Sequence, residues 1–112
     1  MAYKVVITKP AKHQLDMYVG YTANTLKNKQ AAKAIMSDAS TTKKRLSLVA
    51  DKLAFCDNAV LRQHGYRRIL FKKHDFFMVY RIDGNRAIVD AMYHELQDYE
   101  GTFIADMHIN EQ

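Results

Sequence analysis

The chain has 112 residues, of which 48% are hydrophobic, and it carries a formal net charge of +5. This length fits one domain with its own hydrophobic core, and the composition excludes a disordered chain. The apolar runs are only a few residues long, which excludes a transmembrane helix and any membrane partner.

The single cysteine and the N-terminal stretch bear on the cellular compartment. Cys56 cannot form an internal disulfide and has no CxxC partner, so it is predicted to be a buried or incidental thiol. The stretch MAYKVVITKP lacks the long apolar core of a signal peptide. A protein of the reducing cytoplasm is therefore expected.

The charge is unevenly distributed along the chain. Residues 1–94 hold 17 Lys and Arg against seven acids, a net of +10, whereas residues 95–112 hold five acids and no Lys or Arg, a net of −5. A basic body of this size suits an RNA or DNA surface or an acidic protein partner, although such charge can also serve solubility alone. The sequence assigns no role to the acidic C-terminal tail, residues 101–112, which could fold back on the basic body or stay solvated.

The first predicted elements are a strand and a helix. The stretch AYKVVIT is rich in β-formers and predicts a strand over Tyr3–Thr8. Thr8 is also a candidate N-cap, and Pro10 falls near the first helical position, where its missing N–H costs nothing. Apolar residues then follow at helical spacing as far as Leu26, and Gly20 weakens this helix without ending it.

A second, longer helix is predicted to begin at Asn28, another candidate N-cap. From Ala32 to Leu53 the apolar positions recur at alternating steps of three and four, which predicts an amphipathic helix of about 25 residues. Because the link at residues 27–28 is short, the two helices are expected to form an antiparallel hairpin. The stripe is interpreted as core and not as a cofactor site.

Three strands are predicted after an aperiodic connector, over Tyr66–Lys73, Phe76–Ile82 and Arg86–His94. The stretch DGN at 83–85 predicts a hairpin, because type I′ turns need positive φ at their central residues. The order is then βααβββ in one domain over residues 1–112. This order predicts an α+β fold in which a helix hairpin packs on one face of a small, mostly antiparallel sheet.

Side-chain alternation assigns the strand residues to two faces of the predicted sheet. One face is nearly all apolar, includes Tyr80, Val89 and Ala91, and is expected to pack on the helices. The other is expected to be open and to carry basic side chains around an apolar centre, namely those of Arg68, Lys72, Arg81, Arg86 and His94. This predicts a concave site for a polyanion.

Two other arrangements of the strands would not give this predicted site. Asp90 lies close to Arg81 or Arg86 in either hairpin register, so a cross-strand ion pair could explain these arginines instead. A β-bulge between residues 86 and 94 would exchange the faces and send His94 inward. The histidines are scattered without HxxxH or HExxH spacing, and no glycine-rich phosphate loop is present, so neither a metal nor another cofactor is expected.

Three stretches, taken in order, carry a resemblance to a known family. They are YKVVITKPAKHQLD at the start, NKQAAKAIMSD in the helix pair, and GYRRILFKKHDFFMVYRIDGNRAIVDAMYHELQDY in the strands. Together they resemble the RelE/ParE superfamily of toxins from bacterial type II toxin–antitoxin systems, over about residues 3–100. The resemblance implies the βααβββ toxin fold, growth inhibition of the kind used in plasmid stabilization, and a cognate antitoxin protein as partner.

The resemblance implies one of two activities. RelE-like members are metal-independent mRNA interferases that cut mRNA on the ribosome, and ParE-like members poison DNA gyrase. For a ribosome-dependent endoribonuclease, the resemblance implies that His94 transfers the proton and that Arg68 or Arg81 holds the scissile phosphate. The residues that would bind substrate are Arg67, Lys72, Lys73, Arg86 and Tyr93.

One departure from the family pattern keeps the alternatives open. Many RNase members carry an arginine two to three residues before the tyrosine of the V-Y strand, where this chain has FFMVY. The missing arginine favours gyrase inhibition, or a non-enzymatic module that only binds its antitoxin. The tandem Arg67 and Arg68 and the terminal His94 favour the RNase, which is the first expectation, with the other two as alternatives. The expected partners are therefore the antitoxin and either the ribosome with mRNA or DNA gyrase.

Overall fold

The computed structural model describes residues 2–95 and 99–107. Within these residues the helices are α1 (Lys9–Gly20), α2 (Lys29–Val49), α3 (Ala59–Gln63) and α4 (Tyr99–Met107). The strands are β1 (Lys4–Ile7), β2 (Arg67–Leu70), β3 (Phe76–Asp83) and β4 (Arg86–His94). The predicted α+β class and βααβββ order are confirmed, with α3 and α4 added to them. In the described residues, no helix is both long and apolar enough to cross a membrane.

The helix hairpin begins at the two predicted caps. The Thr8 hydroxyl accepts a hydrogen bond from a backbone N–H of the first turn of α1, and the Asn28 side chain does the same for α2, at 3.4 and 2.9 Å. Gly20 does not end the first helical segment, which continues as a π-helical stretch over Tyr21–Thr25. Lys27 then turns the chain with a φ of 53°.

The long helix follows the predicted stripe. α2 covers 21 residues and continues as a 3-10 turn over Ala50–Lys52. Its buried side chains are Ala32, Ile35, Asp38, Ala39, Thr42 and Leu46. All of these but Asp38 are positions of the predicted stripe.

The sheet has the strand order β1-β4-β3-β2, in which β1 runs parallel to β4 and the other neighbours are antiparallel. The DGN hairpin is confirmed, with Asp83 paired to Arg86. In the described residues Gly84 has positive φ, at 63°, whereas Asn85 does not. The turn therefore meets the requirement of type II′, and the expected type I′ is wrong.

The link between β2 and β3 is longer than the predicted two-residue turn. β2 ends at Leu70, which pairs with Phe77, and residues 72–75 form the loop. The register is nevertheless the one that a turn at residues 73–74 would give. The alternation predicted for this strand is therefore retained, with Ile69 towards the helices and Arg68 away from them.

Two hydrophobic cores lie on opposite faces of the sheet. The hairpin-side core lies beneath α1 and α2 and contains Leu46, Ile69, Met78, Tyr80, Val89 and Met92, among others. The second core contains Cys56, Leu61, Tyr66, Phe77, Val79, Ala91, Tyr93 and Phe103. The prediction of an open second face is therefore wrong, because side chains from the connector, α3 and α4 cover it.

The start of the acidic tail belongs to this second core. Phe103 of α4 is completely buried and meets the Tyr66 ring edge-to-face, with centroids 4.9 Å apart. Burial of this aromatic side chain favours the docking of α4 on the sheet. Residues 108–112 of the predicted tail lie outside the described residues.

Candidate functional site

A β-bulge in β4 decides which of the predicted site residues share a face. Val79 of β3 pairs with Ala91, but the next residue, Tyr80, pairs with Val89. Asp90 is therefore an extra residue that is opposite no residue of β3 in the backbone ladder. Up to the bulge the side chains alternate as predicted, and Tyr80 and Val89 both lie in the hairpin-side core.

Beyond the bulge the two faces are exchanged. Ala91 and Tyr93, which were predicted to face the helices, are buried in the second core. His94 pairs with Phe76 on the hairpin side of the sheet, and the two rings meet edge-to-face with centroids 5.1 Å apart. The prediction that His94 shares a face with Arg68 and Arg81 is therefore wrong.

Asp90 holds the bulge in place through two side-chain hydrogen bonds. Its carboxylate is 4% exposed and accepts from the Tyr66 hydroxyl at 2.8 Å and from Nε of Arg81 at 3.0 Å. Burial and the bond to Asp90 both raise the pKa of the Tyr66 phenol. Burial acts to lower the pKa of Arg81, but the hydrogen bond and the charge of Asp90 outweigh it and raise that pKa. Arg81 thus forms the cross-strand ion pair that the sequence offered as an alternative.

Arg68 is the predicted catalytic residue that borders an open groove. The groove has a volume of about 450 Å³ and lies along the outer edge of β2. The Arg68 guanidinium stacks over the rings of Phe77 and Tyr99, at 5.1 and 5.6 Å from their centroids. Arg45 also lines the groove and donates a hydrogen bond to the carbonyl oxygen of Leu70. The groove therefore has two cationic side chains, together with the carboxylate of Asp57, in its lining.

Cys56 is one of the residues that line the groove, and it is buried. Its side chain is 2% exposed, and burial raises the pKa of its thiol. The hydrogen bond to Tyr99 opposes that rise without cancelling it. The prediction of a buried thiol is confirmed.

Arg67 makes contacts that stabilise the fold, on the side of the sheet that faces the helix hairpin. Its guanidinium donates to the carbonyl oxygens of Asp51 and Leu53, at 3.2 and 2.6 Å, and lies 4.0 Å from the centroid of the Phe55 ring. These carbonyls follow the C-terminal end of α2, where backbone acceptors lack helical partners. Arg67 thus fastens the end of the long helix to β2.

We expect Arg67→Ala to lower the free energy of unfolding by about 1–2 kcal/mol, because it removes two hydrogen bonds from a charged donor and one cation–π contact. Chemical denaturation followed by circular dichroism measures the change. Arg68→Ala is the matched control, since it removes the same charge one residue away, and should cost less than about 1 kcal/mol. Equal losses for the two variants would contradict this role of Arg67.

The other predicted substrate-binding residues are dispersed. Arg86 pairs with Asp83 at 3.1 Å beside the exposed hairpin turn, and Tyr93 is buried in the second core. Lys72 and Lys73 lie in the β2–β3 loop, at the opposite end of β3 from that turn. The structure therefore does not bring the predicted site residues together.

A cluster that the sequence analysis missed lies at the β2–β3 loop. Asp38 of α2 accepts hydrogen bonds from the backbone N–H groups of Lys72 and Lys73, at 3.2 and 2.8 Å. Nδ1 of His74 lies 2.7 Å from the same carboxylate. Burial acts to raise the pKa of Asp38, but the bonds to His74 and to the loop N–H groups outweigh it and lower that pKa. Asp38 lies three residues after Ile35, beside the predicted stripe, so its burial was visible in the sequence, whereas its partners in the loop were not.

No group of three or more His, Cys, Asp or Glu side chains in the described part of the chain is close enough to hold a metal ion.

Comparison with known proteins gives a match in structure only. No protein-family model matches the sequence, and a search of curated proteins finds no match. A solved chain from the chromosomal ParDE toxin–antitoxin system of P. aeruginosa is similar with a TM-score of 0.69 and 19% identity, over 83% of this chain and 96% of that one. A chain of the toxin–antitoxin complex RelBE2 from Mycobacterium tuberculosis gives a TM-score of 0.54 and 15% identity, over 84% and 99%. The RelE/ParE resemblance is thus confirmed at the level of the fold, and this chain has a ParE/RelE-like fold.

Proposed function

We propose that this chain is the toxin of a type II toxin–antitoxin pair, and that it arrests growth by binding DNA gyrase. The observation that carries the proposal is the fold, which it shares over more than four fifths of its length with chains from two toxin–antitoxin assemblies. This similarity supports an antitoxin as partner. The +10 charge of residues 1–94 suits an acidic antitoxin segment.

The environment of the predicted catalytic residues favours binding over RNA cleavage. A general base and a phosphate clamp must face the same phosphate to act together. His94 lies on the hairpin side of the sheet, whereas Arg68 and Arg81 lie on the other. Arg81 is also held by Asp90. The catalytic roles of these three residues stay a prediction.

The groove beside β2 supports the RNase alternative. Arg45 and Arg68 supply two cationic groups and Tyr99 a phenol within one 450 Å³ space. Burial raises the pKa of Tyr99, so its phenol is a weaker acid than a free tyrosine and would act there as a hydrogen-bond donor to the phosphate. In that case the catalytic groups would be those of the groove and would not include His94.

Induced expression in a bacterial host tests the proposal. We expect growth arrest with an early DNA-damage response and continuing protein synthesis, and co-expression of the neighbouring antitoxin reading frame should restore growth. His94→Ala should arrest growth as strongly as the wild type at matched soluble levels.

Other outcomes identify the alternatives. An early halt in translation, with a 10²–10⁴-fold loss of mRNA cleavage in His94→Ala, would establish the RNase as first predicted. The same halt with loss of cleavage in Arg68→Ala alone would place the RNase in the groove. Normal growth at high soluble expression would leave only the non-enzymatic, antitoxin-binding module.

A further inference from the structure

A second pocket, separate from the β2 groove, lies between α2 and the β2–β3 loop. Its volume is about 300 Å³, and its lining residues are Ala34, Ser37, Asp38, Thr41, Lys72, Lys73 and His74. We propose that this α2–loop pocket binds the phosphate groups of a nucleic-acid backbone. This inference goes beyond the proposed function and does not depend on which target the chain acts on.

Asp38 gives the pocket a fixed shape. Its side chain is 2% exposed, and both carboxylate oxygens are engaged, Oδ1 by the N–H of Lys72 and Oδ2 by the N–H of Lys73 and by His74. The carboxylate therefore points into the protein and anchors the loop. The loop that carries Lys72 and Lys73 is thereby held beside α2, and a loop fixed in this way is pre-organised for anion binding. The buried Asp38 is the one acid among the lining residues, and the exposed Asp75 that follows in the loop is not one of them.

Basic residues of α2 add positive charge to that of the α2–loop pocket. This helix carries five basic residues, Lys29, Lys33, Lys43, Lys44 and Arg45, and its single acid is the buried Asp38. Lys33, Ser37, Thr41 and Lys44 follow one another at steps of four, four and three, so they lie on one stripe. From Lys33 to Lys44 the stripe rises about 17 Å, which matches roughly five steps along one DNA strand. A small anion would contact only one position of this stripe.

The chemistry of the lining favours nucleic acid over an acidic protein. Protein interfaces depend on buried aromatic or long apolar anchors, and the α2–loop pocket has neither among its lining residues. Lysine ammonium groups and serine or threonine hydroxyls are the usual contacts to phosphate oxygens, and they carry no base specificity. We therefore expect binding that is independent of sequence and strongly dependent on salt.

The test is fluorescence anisotropy of the purified full chain with labelled random-sequence oligonucleotides, both single-stranded and duplex, over a range of salt concentrations. The variant is Lys72→Ala/Lys73→Ala. The matched control is Lys9→Ala/Lys52→Ala, which removes the same charge at exposed positions outside the pocket. We expect the pocket variant to lose about tenfold in affinity, and its salt slope for single strands to fall by about 1.4, the value for two phosphate contacts. The control should lose about twofold or less.

Each remaining outcome overturns the proposal. Equal losses in the two variants would mean that only general charge is involved. Equally tight binding of a poly-glutamate peptide would indicate an acidic protein partner. Binding of inorganic phosphate at this pocket, without binding of either oligonucleotide, would identify a free anion as the ligand. Melting temperatures of both variants verify that the fold is intact, since Lys72 and Lys73 contact Asp38 through their backbones and not their side chains.

Discussion

Asp90→Ala is expected to lower the free energy of unfolding by roughly 2–3 kcal/mol, because it leaves the Tyr66 hydroxyl without its acceptor and Arg81, whose side chain is 39% exposed, without its ion-pair partner. The carboxylate holds the Tyr66 hydroxyl and the Arg81 guanidinium together beside the second core. Without it, the hydroxyl and the charge lose their acceptor in a space that alanine does not fill. The bulge also loses the bonds that keep its extra residue turned towards this face.

Urea denaturation of the wild type and of three variants measures the effect. Tyr66→Phe removes only the hydroxyl and should cost about 1 kcal/mol. Arg86→Ala breaks an exposed ion pair in the same hairpin and should change stability by less than about 0.5 kcal/mol. If Asp90→Ala cost no more than Arg86→Ala, packing alone would set the bulge and the hydrogen bonds would contribute nothing.

The same bulge marks the limit of what alternation in the sequence could predict. The hairpin at 83–85 and the faces of the strand residues up to Val89 follow from period-two patterns, because each side chain alternates reliably until the ladder is interrupted. The predicted end of the strand Tyr66–Lys73 was wrong, since β2 stops at Leu70. One extra residue reverses every later position, and so Tyr93 and His94 were assigned to the wrong faces. An acid in the middle of the apolar run AIVDAMY was the visible sign that the run is not one regular strand.

The second core was not predicted, for a different reason. Phe103 lies in the acidic tail, for which the sequence left both contact with the basic body and solvation open, and one aromatic residue in a short segment gives no periodicity to detect. The caps at Thr8 and Asn28 were predictable, since capping depends on a side chain and N–H groups only a few residues apart. The Asp38 cluster was not, because its partners lie more than 30 residues away along the chain.

Asp38→Ala is expected to destabilise the protein by about 2–4 kcal/mol, since it leaves two loop N–H groups and the His74 ring without their acceptor. For a domain of this size the melting temperature should fall by about 10–20 °C. Differential scanning calorimetry at pH 7 measures the shift. Asp16→Ala is the control, because its carboxylate pairs with Lys12 at the exposed surface and should contribute less than about 0.5 kcal/mol.

The effect of Asp38 also has a defined dependence on pH. Because its pKa is lowered in the folded state, the unfolded chain takes up the proton first as the pH falls. The stabilisation is therefore complete above the ordinary aspartate pKa of about 3.9, and is lost as the pH falls through the lower folded value. The stability difference between wild type and Asp38→Asn should accordingly shrink as the pH falls from about 5 to about 3. A difference that grew over this range would mean that Asp38 is protonated in the folded protein, and that it anchors the loop as a neutral acid.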